Sequence, residues 1–464
     1  MLLIVAHTSE VPLHLIFIHV LPSKLYCKST KNDVEFPQEI NMALKRILLI
    51  GGNYSPEQTG IGKYNAEMME WLSSKGFDCT VITTYPYYPY WKIQDPYVKK
   101  SYWFSKDKKI VPGANIPITI YRCPHYVPGK PTGFKRILSD ISFFISASLK
   151  AIMLLFHKKY DCVISVVPPF QLGLLSLLFK YIRGSKVFYH IQDLQIDAAH
   201  SLGMIKSKFA VRLMYKIEKF ILKKSDSVSS ISEGMIKNIK EKYVREILLF
   251  PNWANTEDFY PIDDKEELKK EFGFAADDKI VLYSGAIGEK QGLEMLLRTA
   301  KDLTDTTHLK FIICGSGPYK EKLIELAETM KLKNLHFLPL QPKEKFNKFL
   351  NMADVHLVLQ KSDATDLVMP SKVTNILSVG GLALITTPEN NSLHAIISKH
   401  NMGILIQPEN QALLTEAITD AVNRPHELLR KNARDFAETH LSMDKILSGF
   451  FKTIPTNVEA APVY

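Results

Sequence analysis

The sequence predicts an α/β chain in which two doubly wound parallel-sheet domains face each other across a cleft. Three observations carry that expectation. From residue 46 onward, short apolar runs of strand length alternate with helix-length amphipathic segments. The pattern starts afresh after Pro251-Asn252-Trp253. The strand runs are apolar throughout, which is what a parallel sheet covered by helices on both faces requires. A chain of 464 residues suits two or three domains of about 150 residues each. Its 46% hydrophobic and 23% charged residues supply cores and argue against disorder.

Taken in order, residues 1–41 read as an extension. The run 2–21 is apolar but broken by His7, Ser9, Glu10, Pro12 and His14, so it makes a poor membrane span and a poor signal peptide. A polar linker follows at 24–39. Met42-Ala-Leu-Lys-Arg-Ile-Leu-Leu-Ile then places a core strand almost at once, so Met42 is the expected initiator, with a weak membrane tether at 1–41 as the alternative. In the first domain, 42–255, strands are expected at 46–50, 79–84, 116–122, 162–167, 186–192 and 227–230, separated by helices near 62–75, 134–156, 171–181 and 208–223. The second domain, 256–425, has strands at 280–284, 309–314, 335–338, 355–359, 382–386 and 403–406, after a hinge near 252–261. Residues 426–464 are expected to form helices that pack back toward the first domain, then a tail. Doubly wound, Rossmann-like sheets bind ligands at the carboxyl ends of their strands.

Those ends carry the polar signals. The first strand leads into a loop whose Gly60 and Gly62 let the backbone approach a ligand. Its length and glycine spacing fit neither a dinucleotide fingerprint nor a Walker loop. The second domain repeats the device at 283–293, with Gly292 and the cation Lys290, and again at 314–318, with Gly317. The stretch 367–381 adds a helix opened by Pro370, whose missing N–H costs nothing there. The free amides of Ser371, Lys372 and Val373 make a seat for phosphate, Lys372 adds a mobile positive charge, and Gly380-Gly381 closes the helix. Three such glycine loops in register with the Pro370 turn, all expected on one edge of one sheet, point to a diphosphate, whereas one alone is weak evidence beside the plainer reading of a turn that merely starts a helix. In the first domain His190 lies within a strand and Asp193 at its tip. Asp193 is therefore expected to act on substrate ahead of His190, a strand-interior histidine being more often a core residue.

The net charge of +10 calls for an anionic partner, whether nucleotide, lipid or nucleic acid. Five scattered cysteines, three of them in strand-like runs, read as reduced core thiols of a cytoplasmic protein, and no spacing suggests zinc. Residues 134–159 and 206–224 join apolar stripes to many lysines and arginines. Such helices lie on anionic lipid, or else face the sheet with solvated lysines; for 134–159 the sequence leaves both readings open, and for 206–224 it favours the second. The aromatics of 85–91 and Trp103 stack on sugars or dip into lipid.

Taken together, the start ILLIGGNYSPEQTGIGKY, Pro168-Pro169, HIQDLQIDAA, Ile231-Ser232-Glu233-Gly234-Met235, FPNW at 250–253, YSGAIGEKQGLE and MPSKVTN make residues 45–449 resemble glycosyltransferase family 4, GT-B fold, in its exopolysaccharide, colanic-acid branch. The resemblance implies a retaining transferase that moves a sugar from a nucleoside-diphosphate sugar, GDP-fucose by branch likeness, to a lipid-linked glycan acceptor. It implies no metal and no other cofactor, and a cytoplasmic protein peripheral on the inner membrane face. Lys290 and Ser371–Lys372 would face the diphosphate, the Gly317 loop and residues 338–340 would border the nucleoside, and Gly60–Gly62 would approach from the other domain. The chain departs from the family where cations of the first donor-side loop become Ala286 and Gln291, and where paired glutamates become Leu367 and Asn375. Asn375 retains a neutral acceptor for a ribose hydroxyl. Two other functions remain: a sugar-nucleotide epimerase of the same fold, and a non-enzymatic binder of anionic polymers. The second is disfavoured because no nucleic-acid-reading motif occurs.

Overall fold

Two parallel sheets form where the sequence places its apolar runs. The computed structural model describes residues 46–57, 60–201, 205, 207–362 and 372–452. The extension and its proposed start at Met42 lie outside them.

The first half runs β1 (Arg46–Gly51), α1 (Ile61–Ser74), β2 (Asp78–Thr84), β3 (Ser105–Lys109), β4 (Ile118–Cys123), α2 (Gly133–His157), β5 (Cys162–Val167), α3 (Leu172–Arg183), β6 (Lys186–Ile191), α4 (Gln195–Ser201), α5 (Lys208–Lys224), β7 (Ser227–Ser230), α6 (Glu233–Lys242) and β8 (Leu248–Leu249). The sheet order is β3-β4-β2-β1-β5-β6-β7-β8. Its central strand β1 pairs in parallel with β2 and β5, setting Leu49 opposite Val81 and Ile164. One strand departs from the expected parallel sheet: β3 runs antiparallel along β4 at the edge. Its sequence, Ser-Lys-Asp-Lys-Lys, carries no apolar signal because an edge strand is better protected from stray pairing by charge.

The second half runs α7 (Lys265–Glu271), β9 (Lys279–Ser284), α8 (Glu294–Asp302), β10 (Leu309–Cys314), α9 (Lys320–Thr329), β11 (Leu335–Leu338), α10 (Lys343–Asn351), β12 (Val355–Val358), α11 (Lys372–Ser378), β13 (Ala383–Thr386), α12 (Ser392–His400), β14 (Ile404–Ile406), α13 (Gln411–Asn423), α14 (Glu427–His440) and α15 (Met443–Lys452). The order is β11-β10-β9-β12-β13-β14. In both halves the chain winds outward from a central strand, returns to its other side and winds the opposite way. A crevice opens at the carboxyl ends beside β1 and beside β9.

The halves exchange cores near residue 254. Phe250 and Trp253 are buried with the first sheet, Ala254 N–H donates to Leu441 O at 2.8 Å, and Phe259 is buried with the second. Of the two last helices, α14 stays with the second half, where Ala433, Phe436 and Ala437 pack on Val373 and Ile376 of α11. Only α15 crosses back. Its Phe450 ring stacks on Phe250 at 3.8 Å and 10°, Phe451 lies on Trp71, and Asp444 accepts from the Trp71 indole at 2.9 Å. The stacked rings fix a C-terminal helix onto a domain that ended two hundred residues earlier. Cys79, Cys123, Cys162 and Cys314 are buried and free.

Candidate active site

On the second domain, the loops after β9 and β10 nest backbone to backbone. Gly285 N–H donates to Cys314 O at 3.0 Å and Ile287 N–H to Ser316 O at 2.9 Å. A Cβ at Gly317 would lie 2.0 Å from the Ile287 carbonyl oxygen, and one at Gly315 1.9 Å from that of Gly285, so only glycine permits this pairing. Gly292 ends the turn that carries Lys290, with a left-handed backbone, and Lys290 O accepts from Lys361 N–H at 2.9 Å. Lys290 itself is exposed.

Under this loop lies Lys372. Sequence reasoning expected a mobile cation; the structure shows a fixed one. Its Nζ sits 3.7 Å from the centroid of the Tyr283 ring and 3.6 Å from where a Gly285 Cβ would be. The nitrogen is buried and, among the described residues, has no hydrogen-bond partner. Burial pushes its pKa down from 10.5 to about 7. The aromatic face offsets part of the desolvation, yet the ammonium's own donors stay unused. Pro370 and Ser371 lie outside the described residues, as do Asp366 and Leu367. The expected glycine closure of α11 is present: Gly380 N–H donates to Leu377 O at 3.1 Å and Gly381 N–H to Ile376 O at 2.9 Å. Asn375 accepts from Lys63 Nζ of α1 at 3.5 Å, and Thr374 meets the Tyr64 hydroxyl at 3.5 Å, so α11 also touches the first domain.

On the first domain Asp193 stands just beyond β6. Its Oδ1 is buried without a partner among the described residues. Burial raises its pKa to about 6, opposed by the positive charge of Lys290 from the other domain. His190 is different. It is 4% exposed, its Nδ1 meets Ser229 Oγ at 3.0 Å, its ring packs on Phe250 at 4.9 Å, and burial lowers its pKa to about 3. That is a neutral core histidine, and it leaves Asp193 as the cleft-facing member of the pair.

The loop after β1 is braced by residues that carried no signal in the sequence. Glu57 accepts from Tyr87 N–H and Tyr88 N–H, both at 2.9 Å, and from Asn53 Nδ2 at 2.9 Å, while burial raises its pKa to about 7. Arg122, 2% exposed, pairs with Asp107 at 2.7 Å and donates to Ser55 O at 2.8 Å. Gly60 takes a positive φ of 62° directly beside the Tyr88 ring, and a Cβ at Gly62 would meet Glu57 Oε2 at 2.9 Å. Burial and the charge of Glu57 raise the pKa of the Tyr88 hydroxyl, with Arg136 opposing and Asp193 adding, and Tyr88 in turn acts on Tyr283, so it joins the two sides of the cleft. The structure thus brings Gly60, Tyr88, Asp193, Lys290, Tyr283 and Lys372 to one place. Among the described residues the one cluster with metal-ligand geometry, Asp277, Asp278 and His308, lies at the amino ends of β9 and β10, on the opposite edge.

Residues 59–253 match the glycosyl transferase 4-like domain family and residues 264–439 the glycosyl transferases group 1 family. The chain is also 38% identical over 418 residues to a glycosyl transferase of Escherichia coli K12 named for colanic acid biosynthesis, WcaI, covering 88% of this chain and 99% of that one. The chain belongs to glycosyltransferase family 4. Its fold is GT-B, shared with sucrose-phosphate synthase of Thermosynechococcus elongatus (17% identity, TM-score 0.68, 88% of this chain and 98% of that one). The lipopolysaccharide glycosyltransferase WaaG is similar at 13% identity and TM-score 0.61 over 88% of this chain and 98% of its own. So is Anabaena HepE, solved with UDP-glucose, at 12% identity and TM-score 0.63 over the same shares of the two chains. In this family 4 glycosyltransferase the residues gathered at the carboxyl ends of the two sheets form the candidate active site.

Proposed function

We propose that this glycosyltransferase takes a sugar from a nucleoside-diphosphate sugar and transfers it, with retention of anomeric configuration and without a metal, to a lipid-linked glycan in exopolysaccharide or cell-surface polysaccharide assembly. The transfer takes place on the cytoplasmic side of the membrane. The observation that carries the reading is the buried ammonium of Lys372, which has no hydrogen-bond partner among the described residues. A cation kept from water beside backbone glycines is stabilised by an anion placed against it, and the diphosphate of a sugar nucleotide supplies one. As the bond from anomeric carbon to phosphate oxygen breaks, negative charge builds on the departing diphosphate, and Lys372 with Lys290 stabilises it in place. Asp193, which feels the charge of Lys290 from the other domain, is the polar group assigned to act on the sugar and the acceptor hydroxyl. UDP-glucose in the HepE structure supports the donor class, and the name of the WcaI relative supports the polysaccharide setting. GDP-fucose heads the donors to test.

The test is a thermal-shift panel of GDP-, UDP- and dTDP-sugars on wild type and Lys372→Ala. A true donor at a hundredfold excess over its Kd stabilises by about 2.7 kcal/mol. That shift is expected for one base in wild type and lost in the variant. No shift with any sugar nucleotide refutes the reading. Incubation of the positive donor with and without lipid extract then separates transfer from epimerisation, which needs no acceptor.

A further inference from the structure

We propose that the carboxyl-end face of the first domain selects an acceptor whose reacting sugar is uncharged, with Asp140 and His125 as the residues that set this specificity. The inference deepens the transferase reading above and rests on it, because it names the kind of sugar that meets the donor.

The face is built from several loops and one helix. The segments after β1, β2, β4 and β6 deliver Glu57, the Tyr87–Tyr88 turn, His125 and Asp193, and α2 adds Asp140. Contacts join them into one surface. The Tyr87 ring meets His125 at 4.9 Å and Trp91 at 5.4 Å, both edge to face. Trp91 takes a left-handed backbone, φ 51°, which is rare for so bulky a residue. Gln195 Nε2 donates to Asp140 Oδ2 at 2.6 Å while its Oε1 accepts from Phe170 N–H at 3.0 Å, so Asp140 is tied to the turn that follows Asp193. Tyr87, Tyr88, Asp140 and Asp193 are each only partly buried, which leaves surface for a ligand. Aromatic rings beside fixed carboxylates match a pyranose, whose faces are apolar and whose edge carries hydroxyls.

Charge narrows the class. Burial raises the pKa values of Glu57, Asp140 and Asp193 to about 7, 7 and 6, so at pH 8 all three are mostly ionised. Little positive charge answers them within the first domain. Arg122 is paired with Asp107, and Arg136 is exposed and lies over the Trp91 ring at 5.1 Å. Burial lowers the His125 pKa to about 3, so that ring is neutral. Lys290 acts on Asp193 only from the second domain. The two domains therefore present opposite signs, lysines to the donor and carboxylates to the acceptor. A uronate or a phosphorylated sugar set here meets like charge where salt screens it poorly. A neutral sugar meets acceptors for its hydroxyls.

His125 supplies an observation independent of charge. Both of its ring nitrogens are buried and have no hydrogen-bond partner among the described residues. A neutral imidazole holds one donor and one acceptor, and leaving both unused is costly. A sugar hydroxyl lodged beside the Tyr87 ring donates and accepts at once, which is what this imidazole lacks.

The experiment is saturation-transfer NMR on the full chain at pH 8. Its probes are methyl glycosides of glucose, galactose, mannose, fucose and N-acetylglucosamine, set against methyl glucuronide and methyl galacturonide. In wild type at least one neutral glycoside should signal, with the uronides at least about tenfold weaker, the factor that one like-charge contact supplies at the edge of a protein. Asp140→Asn keeps an oxygen for Gln195 but loses the charge, and should bring the uronides level with the neutral sugars. His125→Phe should weaken the neutral signals about tenfold, the worth of two hydrogen bonds, without lowering Tm, because the phenyl ring leaves no nitrogen unsatisfied. Lys372→Ala should keep the glycoside signals while losing the donor thermal shift, so a failure of the donor reading and a failure of this one are read apart. Linkage analysis of the product formed in lipid extract should then find the new sugar on a neutral residue. The proposal is overturned by any one of four results: no signal from a neutral glycoside, uronides equal to neutral sugars in wild type, signals that neither variant alters, or a uronate or phosphorylated sugar as the accepting residue.

Discussion

Titrating sugar-nucleotide binding against pH isolates Lys372. In the free protein burial holds this ammonium at a pKa of about 7, and a diphosphate seated against it as proposed is expected to return it to the ordinary 10.5. Below pH 7 the group is charged in both states and affinity is flat. Above pH 7 the free lysine is neutral, and binding must take up a proton. The charged fraction of free protein falls from half at pH 7 to about 1% at pH 9, so Kd should rise about 50-fold over that interval. The ligand must be a nucleoside-diphosphate sugar rather than a free nucleotide, whose terminal phosphate titrates near about pH 6 and would obscure the slope. Isothermal calorimetry at pH 8.5 in buffers of different ionisation enthalpy should count close to one proton taken up per ligand. Lys372→Met should bind weakly with a flat profile. A flat wild-type profile between pH 7 and 9, or an equal slope in the variant, refutes the assignment of this ammonium to the diphosphate.

The same burial destabilises the ligand-free fold. Because the unfolded chain keeps a lysine pKa near 10.5, wild type loses stability as pH falls from there to 7, so Lys372→Met should melt several degrees higher at pH 7, with the gain vanishing toward pH 10. Asp193→Asn should lower kcat by at least about tenfold while leaving donor thermal shifts unchanged. His190→Gln should instead lower Tm and leave the KM for donor intact, as a core position would. Phe450→Ala removes the ring stacked on Phe250 and should cost about 3–5 kcal/mol, read by chemical denaturation, with α15 becoming the first site of proteolysis. Glu57→Gln removes a buried carboxylate whose pKa is raised from 4.5 to about 7; wild type loses stability as pH rises through that window, so the variant's Tm relative to wild type should be higher at pH 8 than at pH 5.

The alternation of apolar runs was enough to write the α/β class, the restart after Trp253 and the glycine turns at the strand tips, because strand and helix periods and the backbone freedom of glycine are local properties. Chain order also put Asp193 at a strand tip and His190 inside it. Tertiary structure alone decided three things. It showed that Lys372 is buried against Tyr283 rather than mobile, since desolvation depends on neighbours 90 residues away. It brought Glu57 and Tyr88 into the site through backbone hydrogen bonds that no spacing announces. It also left Phe134, Ile145 and Phe156 of α2 facing outward, a question of which side meets the sheet. An amphipathic pattern records that a helix has two faces, but what covers each face is set by the packing of the whole chain.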